Sequence, residues 1–437
     1  MNLYYNSIGD YMGYKNIIEY QIDKGVRLNV IESNKFKHIS IMINFYNIIS
    51  DSDYIIKLLI SMIVSESCGL YPSKSLLSIK KDSLFGFVSR INCFFRGSII
   101  TNQFYNKILN SKYTGIDIRE YFELMSDILY HPIFDIDGLN EAKENLKSAY
   151  ARMKDDKLSY ASSRVDMLIG LDNYLKYHGI IDDDSIDRVS LDDIIRVYND
   201  ILDHDNIDIY VYGDVSHLNI YDLFIEYFKF GSRGIVEVKD PFIYKFNNEL
   251  VINEFFYDHK IYTKDDMCNV IMVYSLDDIN KDDLILLQGF NTLLGMFPSS
   301  LLFSNIREKY SYCYRIFSSV KIQEGLLYIN ASTTKEFVDD LIELVDKQLS
   351  IISNGEFSVE HLDSTIDLYC DSFFSLVDYS NSLIQHIYIS RLFNLDIDID
   401  HKISAFKTIK KEDIISITSR LKNRLIYTNI VNNEKDC

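Results

Sequence analysis

The stretch Phe290-Asn-Thr-Leu-Leu-Gly-Met-Phe-Pro-Ser-Ser-Leu-Leu-Phe-Ser-Asn-Ile-Arg-Glu-Lys-Tyr-Ser-Tyr-Cys-Tyr314 organises the reading of this chain. It reads as the end of a helix, a break at Gly295 to Pro298, a second short helix and a tyrosine-rich strand. Arg307 and Tyr314 stand seven residues apart, where the second helix gives way to the strand. Both side chains donate hydrogen bonds. Aimed together at a carbonyl oxygen gaining negative charge, they would form an oxyanion-stabilising pair. The bland alternative is a surface ion pair of Arg307 with Glu308, and a Tyr314 that is one of 33 tyrosines. An oxyanion pair also needs a nucleophile, so the rest of the chain is read for one.

Outward from this stretch, the sequence repeats itself. Gly69-Leu-Tyr-Pro72-Ser73, followed by Leu76, Ser78, Ile79 and Lys80, resembles Gly295-Met-Phe-Pro298-Ser299, followed by Leu302, Ser304, Ile306 and Arg307 with one residue inserted. Two of only four prolines fall at matching points. The surrounding elements repeat as well. In the first half, Val26, Leu28 and Val30, then Ile39, Ile41, Ile43 and Phe45, alternate as half-buried strands joined by the turn Glu32-Ser-Asn-Lys. Asp53 to Ser67 is apolar almost all round and reads as a buried helix. Strands follow near Leu84 to Arg96, and Tyr121, Leu124, Met125 and Ile128 line a helix face. One long helix is predicted from Leu139 to Met167, and a strand from Ile207 ends at Gly213-Asp214. In the second half, Val270 to Tyr274 is a strand and Asp282 to Met296 a helix. Arg315 to Ser319 and Leu326 to Asn330 are strands, and Val338, Leu341, Ile342 and Val345 line a helix. This predicts an internal duplication: an α+β protein of two homologous α/β domains, 1–230 and 248–437, joined by a linker at 231–247.

Composition narrows the function. The chain has 437 residues, with a net charge of −19. That balance argues against a nucleic-acid surface, which needs a basic footprint. Six cysteines without a C-x-x-C pair suit reduced thiols in a cytoplasmic protein. The N-terminus lacks a basic region followed by an apolar core, so no signal peptide is expected. The most apolar run, Tyr54 to Val64, contains Lys57 and is too short to span a bilayer.

No nucleophile or metal motif is visible. None of the nine histidines pairs with another at i, i+4, the spacing that puts two zinc ligands on one helix face. There is no G-x-S-x-G elbow and no glycine-rich phosphate loop. Cys313, between two tyrosines in a predicted strand, reads as a buried small residue.

These residues resemble a known family, the insulinase (pitrilysin-like) zinc peptidases. Asn291 to Tyr314 looks like the family's C-terminal-domain pattern, a helix ending in a turn, then Ser-x-Leu-Phe…Arg-Glu and a tyrosine strand. Gly25-Val-Arg-Leu-Asn-Val-Ile, Lys35-Phe-Lys-His-Ile-Ser, Tyr71-Pro-Ser, His131-Pro-Ile-Phe, Lys157-Leu-Ser-Tyr-Ala, Gly213-Asp-Val and Asn354-Gly-Glu-Phe-Ser extend the likeness along nearly the whole chain, to the bacterial branch with two short subunits. The resemblance implies two homologous domains, each a mainly antiparallel sheet packed with helices, arranged as a half-clamshell. It also implies an inverted zinc motif, H-x-x-E-H, on the first-domain helix. Counted back from Tyr71-Pro72, those positions carry Leu58, Ser61 and Met62, which supply neither metal ligand nor general base. Glu141 or Glu144 would correspond to a distal acidic ligand.

In the family's heterodimers, the subunit without the zinc motif donates an Arg–Tyr pair. Arg307 and Tyr314 match that pair in context and spacing. The resemblance thus implies a non-catalytic subunit, inactive alone, that stabilises the transition state in a peptide-processing metallopeptidase heterodimer. No cofactor is expected in this chain; zinc is expected in a partner subunit of the same family. Such bacterial pairs are associated with small peptides, including leader removal and bacteriocin maturation. Two other readings remain: a zinc-less scaffold or peptide-binding protein, and a self-sufficient peptidase with a metal site built from distant residues.

Overall fold

A computed structural model describes residues 4–7, 16–170, 174–238, 250–256, 267–276 and 279–431. They divide into two compact units. The first takes residues up to Tyr150, 181–238 and Phe374–Ile399; the second takes Ala151–Ile180, the described stretch from 250 to Phe373, and the residues from Asp400 on. The expected contiguous domains, 1–230 and 248–437, therefore trade 151–180 against 374–399. The predicted linker, 231–247, lies outside the described residues from 239 on.

Among the described residues, seven strands form the first unit's sheet: β1 Tyr4–Ser7, β2 Asn16–Asp23, β3 Val26–Glu32, β4 His38–Ile48, β5 Val88–Arg96, β6 Ile99–Leu109 and β7 Asn206–Gly213. Their order is β1-β2-β3-β7-β4-β6-β5. Only the β3–β7 pair among them is parallel. Val26, Leu28, Ile39, Ile41 and Phe45 enter one core with the helices Tyr54–Ile63, Ile118–Tyr130 and Leu191–His204. Tyr121, Leu124, Met125 and Ile128 are the buried face expected of the second of these.

The sequence made β3 and β4 consecutive half-buried strands. In the structure β7 pairs between them, and most residues of both, on both faces, are buried. The other face of β4, with Ser40, Asn44 and Tyr46, lies beneath the helix Ser380–Leu392. Ser380 Oγ meets Ser40 Oγ at 2.9 Å and His38 Nε2 at 3.0 Å. Tyr388 Oη meets Thr101 Oγ1 of β6 at 2.9 Å, and Arg391 pairs with Glu19 of β2 at 2.6 Å. The polar alternation is thus not a solvent face. It is a buried layer satisfied largely by a polar cover.

The long helix predicted over 139–167 is two helices, Ile136–Asp155 and Lys157–Ile169. The Asp156 carboxylate accepts from the N–H groups of Leu158 and Ser159 and starts the second as an N-cap. This second helix belongs to the other unit. There, Ala161, Val165 and Ile169 pack with Ile271, Val273, Leu425 and Tyr427.

The second unit's sheet comprises β8 Leu250–Phe256, β9 Met267–Leu276, β10 Cys313–Lys321, β11 Leu326–Thr334 and β12 Leu421–Val431, in the order β10-β11-β9-β12-β8. Reversed, it repeats β3-β7-β4-β6-β5 of the first unit. The one parallel pair among its described strands, β8–β12, falls at the same place. The duplication seen in the sequence is therefore a repeat of topology. Among the described residues, no helix is long and apolar enough to cross a membrane.

Candidate functional site

The helix Lys281–Asn291 opens with a capping box between Asn280 and Asp283. It does not continue regularly to Met296 as the sequence predicts, but passes into a π turn at Thr292–Met296. Gly295 is needed there because a Cβ would come 2.7 Å from the Ser318 backbone nitrogen of β10. Ser318 Oγ also bonds Asn291 Oδ1 at 2.7 Å, which fixes the helix end on the strand. Beyond Pro298 a second π turn, Phe303–Glu308, carries Arg307. The chain then reverses through Ser311, whose φ is 57° and whose N–H donates to the Arg307 carbonyl at 3.1 Å. On entering β10, the register against β11 slips between Cys313 and Arg315 and leaves Tyr314 as a bulge. π turns and β-bulges both re-aim side chains and are frequent at functional sites.

Arg307 is exposed and stacks on its own turn, its guanidinium carbon 4.5 Å from the Phe303 ring centre. Tyr314 is 61% exposed. Between them, Cys313 is buried, as the sequence suggested. Burial pushes its thiol up to about 11, and the Arg307 charge opposes that rise. The guanidinium therefore lies within electrostatic reach of the start of β10. Among the described residues, the side chains of Arg307 and Tyr314 have no hydrogen-bond or ion-pair partner. The surface pair of Arg307 with Glu308 is not formed. The sequence did not single out two further cations here: Lys309, 5.5 Å above the Tyr310 ring, and Arg315, 4.8 Å above that of Phe317.

In the first unit, Leu58, Ser61 and Met62 share one half-buried face of the helix Tyr54–Ile63. Leu58 and Met62 pack on the core, and Ser61 Oγ donates to the Leu58 carbonyl at 2.6 Å. This set does not fit zinc: Leu58 carries no donor atom, the Met62 thioether is not among the Cys, His and carboxylate groups that bind zinc, and Ser61 spends its hydroxyl on the helix. Glu141 and Glu144 are exposed helix residues, paired with Lys74 at 2.7 Å and Lys147 at 3.4 Å. Among the described residues no group of three His, Cys, Asp or Glu gathers to hold a metal ion. The buried charge on this helix is Lys57, 2.6 Å from Asp205.

The geometry defines a two-unit α+β protein of repeated topology, with an unpaired Arg and Tyr in its second unit and no metal ligands on the matching helix of its first. Residues 188–369 match the family described as Peptidase M16 inactive domain. The chain is 22% identical over 430 residues to the probable inactive metalloprotease YmfF of Bacillus subtilis, covering 92% of this chain and 95% of that protein. A conserved protein from Enterococcus faecalis superposes with a TM-score of 0.88 at 20% identity, over 96% of this chain and 100% of the other. A peptidase M16 inactive domain from Pseudomonas fluorescens gives 0.74 at 14%, over 96% and 98%. The chain is thus similar to the M16 inactive domain across residues 188–369 and, over nearly its whole length, to a probable inactive metalloprotease, in keeping with the insulinase resemblance read from the sequence.

Proposed function

We propose that this chain is the zinc-less subunit of a heterodimeric metallopeptidase that processes small peptides, with zinc held by a partner of the same family. The observation that carries the reading is the pair itself: an exposed Arg307 and a bulged, exposed Tyr314, both without partners among the described residues. An arginine left unpaired in a chain with 64 acidic residues is available to an external group. Arg307 and Tyr314 donate hydrogen bonds to the scissile carbonyl region as it gains negative charge, while the partner supplies the hydrolytic chemistry. Coverage lends support. The chain spans 46% of the periplasmic protease PqqL of Escherichia coli and 94% of that protein's first half, so a chain of this size accounts for half of a longer protease. We place the pair in the cytoplasm, where the free thiols of Cys68, Cys93, Cys268, Cys313 and Cys370 stay reduced.

The test compares turnover of a fluorogenic peptide library by this chain, by the zinc-bearing relative that co-purifies with it, and by the two together. Cleavage is expected only from the pair, with a drop of roughly a hundredfold for Arg307→Ala or Tyr314→Phe. Undiminished turnover in both variants would sink the role assigned to them.

A further inference from the structure

We infer that the open edge of β10 selects acidic peptides, recognised by Arg307, Lys309 and Arg315. The inference rests on the proposed function for why a peptide comes here, but its grounds are separate. β10 is the last strand of its sheet, bonded only to β11 among the described residues. Its outer edge thus presents backbone N–H and C=O groups that an extended peptide can pair with.

The charge at this edge is opposite to that of the chain. Net charge is −19 overall, yet the nine residues from Arg307 to Arg315 hold three cations and one acid, Glu308. All three cations are exposed, and none has a carboxylate partner among the described residues. Each is held over an aromatic ring, Arg307 on Phe303, Lys309 on Tyr310 and Arg315 on Phe317, at 4.5, 5.5 and 4.8 Å. Stacking of this kind fixes a cation without neutralising it. Elsewhere Arg27, Lys57, Lys147, Lys321, Arg391 and Arg420 are paired with carboxylates at 2.5 to 2.7 Å. Three unneutralised cations beside an unpaired strand edge complement a peptide with acidic side chains. Aromatic rings beside cations also suit single-stranded nucleic acid. Three charges are few for tracking a phosphate backbone, however, and the remaining surface repels one.

The experiment uses the full-length chain alone and reads binding, not cleavage. Fluorescence anisotropy is recorded for labelled ten-residue peptides with Glu, Gln or Lys at alternate positions, and for an oligouridylate of the same length. The Glu peptide is expected to bind at least about tenfold tighter than the Gln peptide at low ionic strength, with the difference shrinking as salt rises. Lys309→Gln with Arg315→Gln should erase the preference. Lys309→Arg with Arg315→Lys should keep it, which separates lost charge from lost fold. Equal binding of the Glu and Gln peptides, a preference that survives the double Gln variant, or tighter binding of the oligouridylate would each overturn the inference. Because partner-dependent turnover is not read, an acidic preference in a chain that adds nothing to cleavage would count against the proposed function alone. Cleavage by the pair without that preference would count against this inference alone.

Discussion

At the scale of single residues, what distinguishes the second unit is how closely the Gly295 turn approaches β10. A methyl group at Gly295 would meet both the backbone nitrogen and the hydroxyl of Ser318 at 2.7 Å, and backbone cannot swing aside as a side chain can. Gly295→Ala should therefore cost about 1–3 kcal/mol as an overpacked contact, seen as a lower urea midpoint with an unchanged slope. Gly69, its counterpart in the repeat, is a control. There a Cβ would first meet the Asp127 carboxylate at 3.2 Å, a side chain able to give way. Gly69→Ala should cost under about 1 kcal/mol. Equal or reversed losses would mean that the Gly-x-x-Pro match is a sequence likeness without a shared packing role. Arg307 and Tyr314 were legible in the sequence as a spacing. The π turn and the bulge that expose them were not, because neither follows from hydrophobic period; both come from packing against neighbouring strands.

Among the elements, the best-read were those whose pattern is set by local contacts. The helix Ile118–Tyr130 shows its 3.6-residue stripe because one face meets one core. β4 was misread as half-buried for the opposite reason: its second face is covered by the helix Ser380–Leu392, more than three hundred residues away in the chain. That cover has a titratable contact. His38 of β4 meets Ser380 Oγ, stacks on Phe36 at 5.0 Å and faces the Lys107 charge. Burial first, and Lys107 second, lower its pKa from 6.5 to about 4. A histidine depressed in the folded state favours folding while it is neutral. Its contribution is complete above pH 6.5 and is lost as the pH falls from there to about 4. Allowing for its partial exposure, the loss is on the order of 1 kcal/mol. Urea titrations at pH 7 and pH 4 should show His38→Gln losing less stability than the parent across that window. An identical loss in both proteins would remove His38 as the cause.

Across the whole molecule, the repeat was readable because duplication leaves residues at matching positions. The trade of segments was not, because a helix packed on either sheet carries the same apolar face. Ala161, Val165 and Ile169 would suit a core in the first unit as well as the one they occupy. The trade has a consequence for folding. A fragment ending at Val238 retains the first unit's strands but lacks Ser380–Leu392, so Ser40, Tyr388's partner Thr101 and the buried Tyr210 lose their cover. A fragment beginning at Leu250 lacks Lys157–Ile169, and with it Asp166, whose carboxylate binds Lys321 at 2.5 Å and Tyr328 at 2.9 Å. Each half thus carries a helix that the other half's sheet requires. Expressed separately, the two fragments should be expanded, bind a hydrophobic dye and unfold without a sharp transition. Expressed together, they should associate one to one and regain cooperative unfolding, because each supplies the other's missing cover. Size-exclusion chromatography with light scattering and a urea titration decide the matter. If either fragment alone is a compact monomer with a sharp transition, the traded helices are accessories to units already complete within contiguous halves.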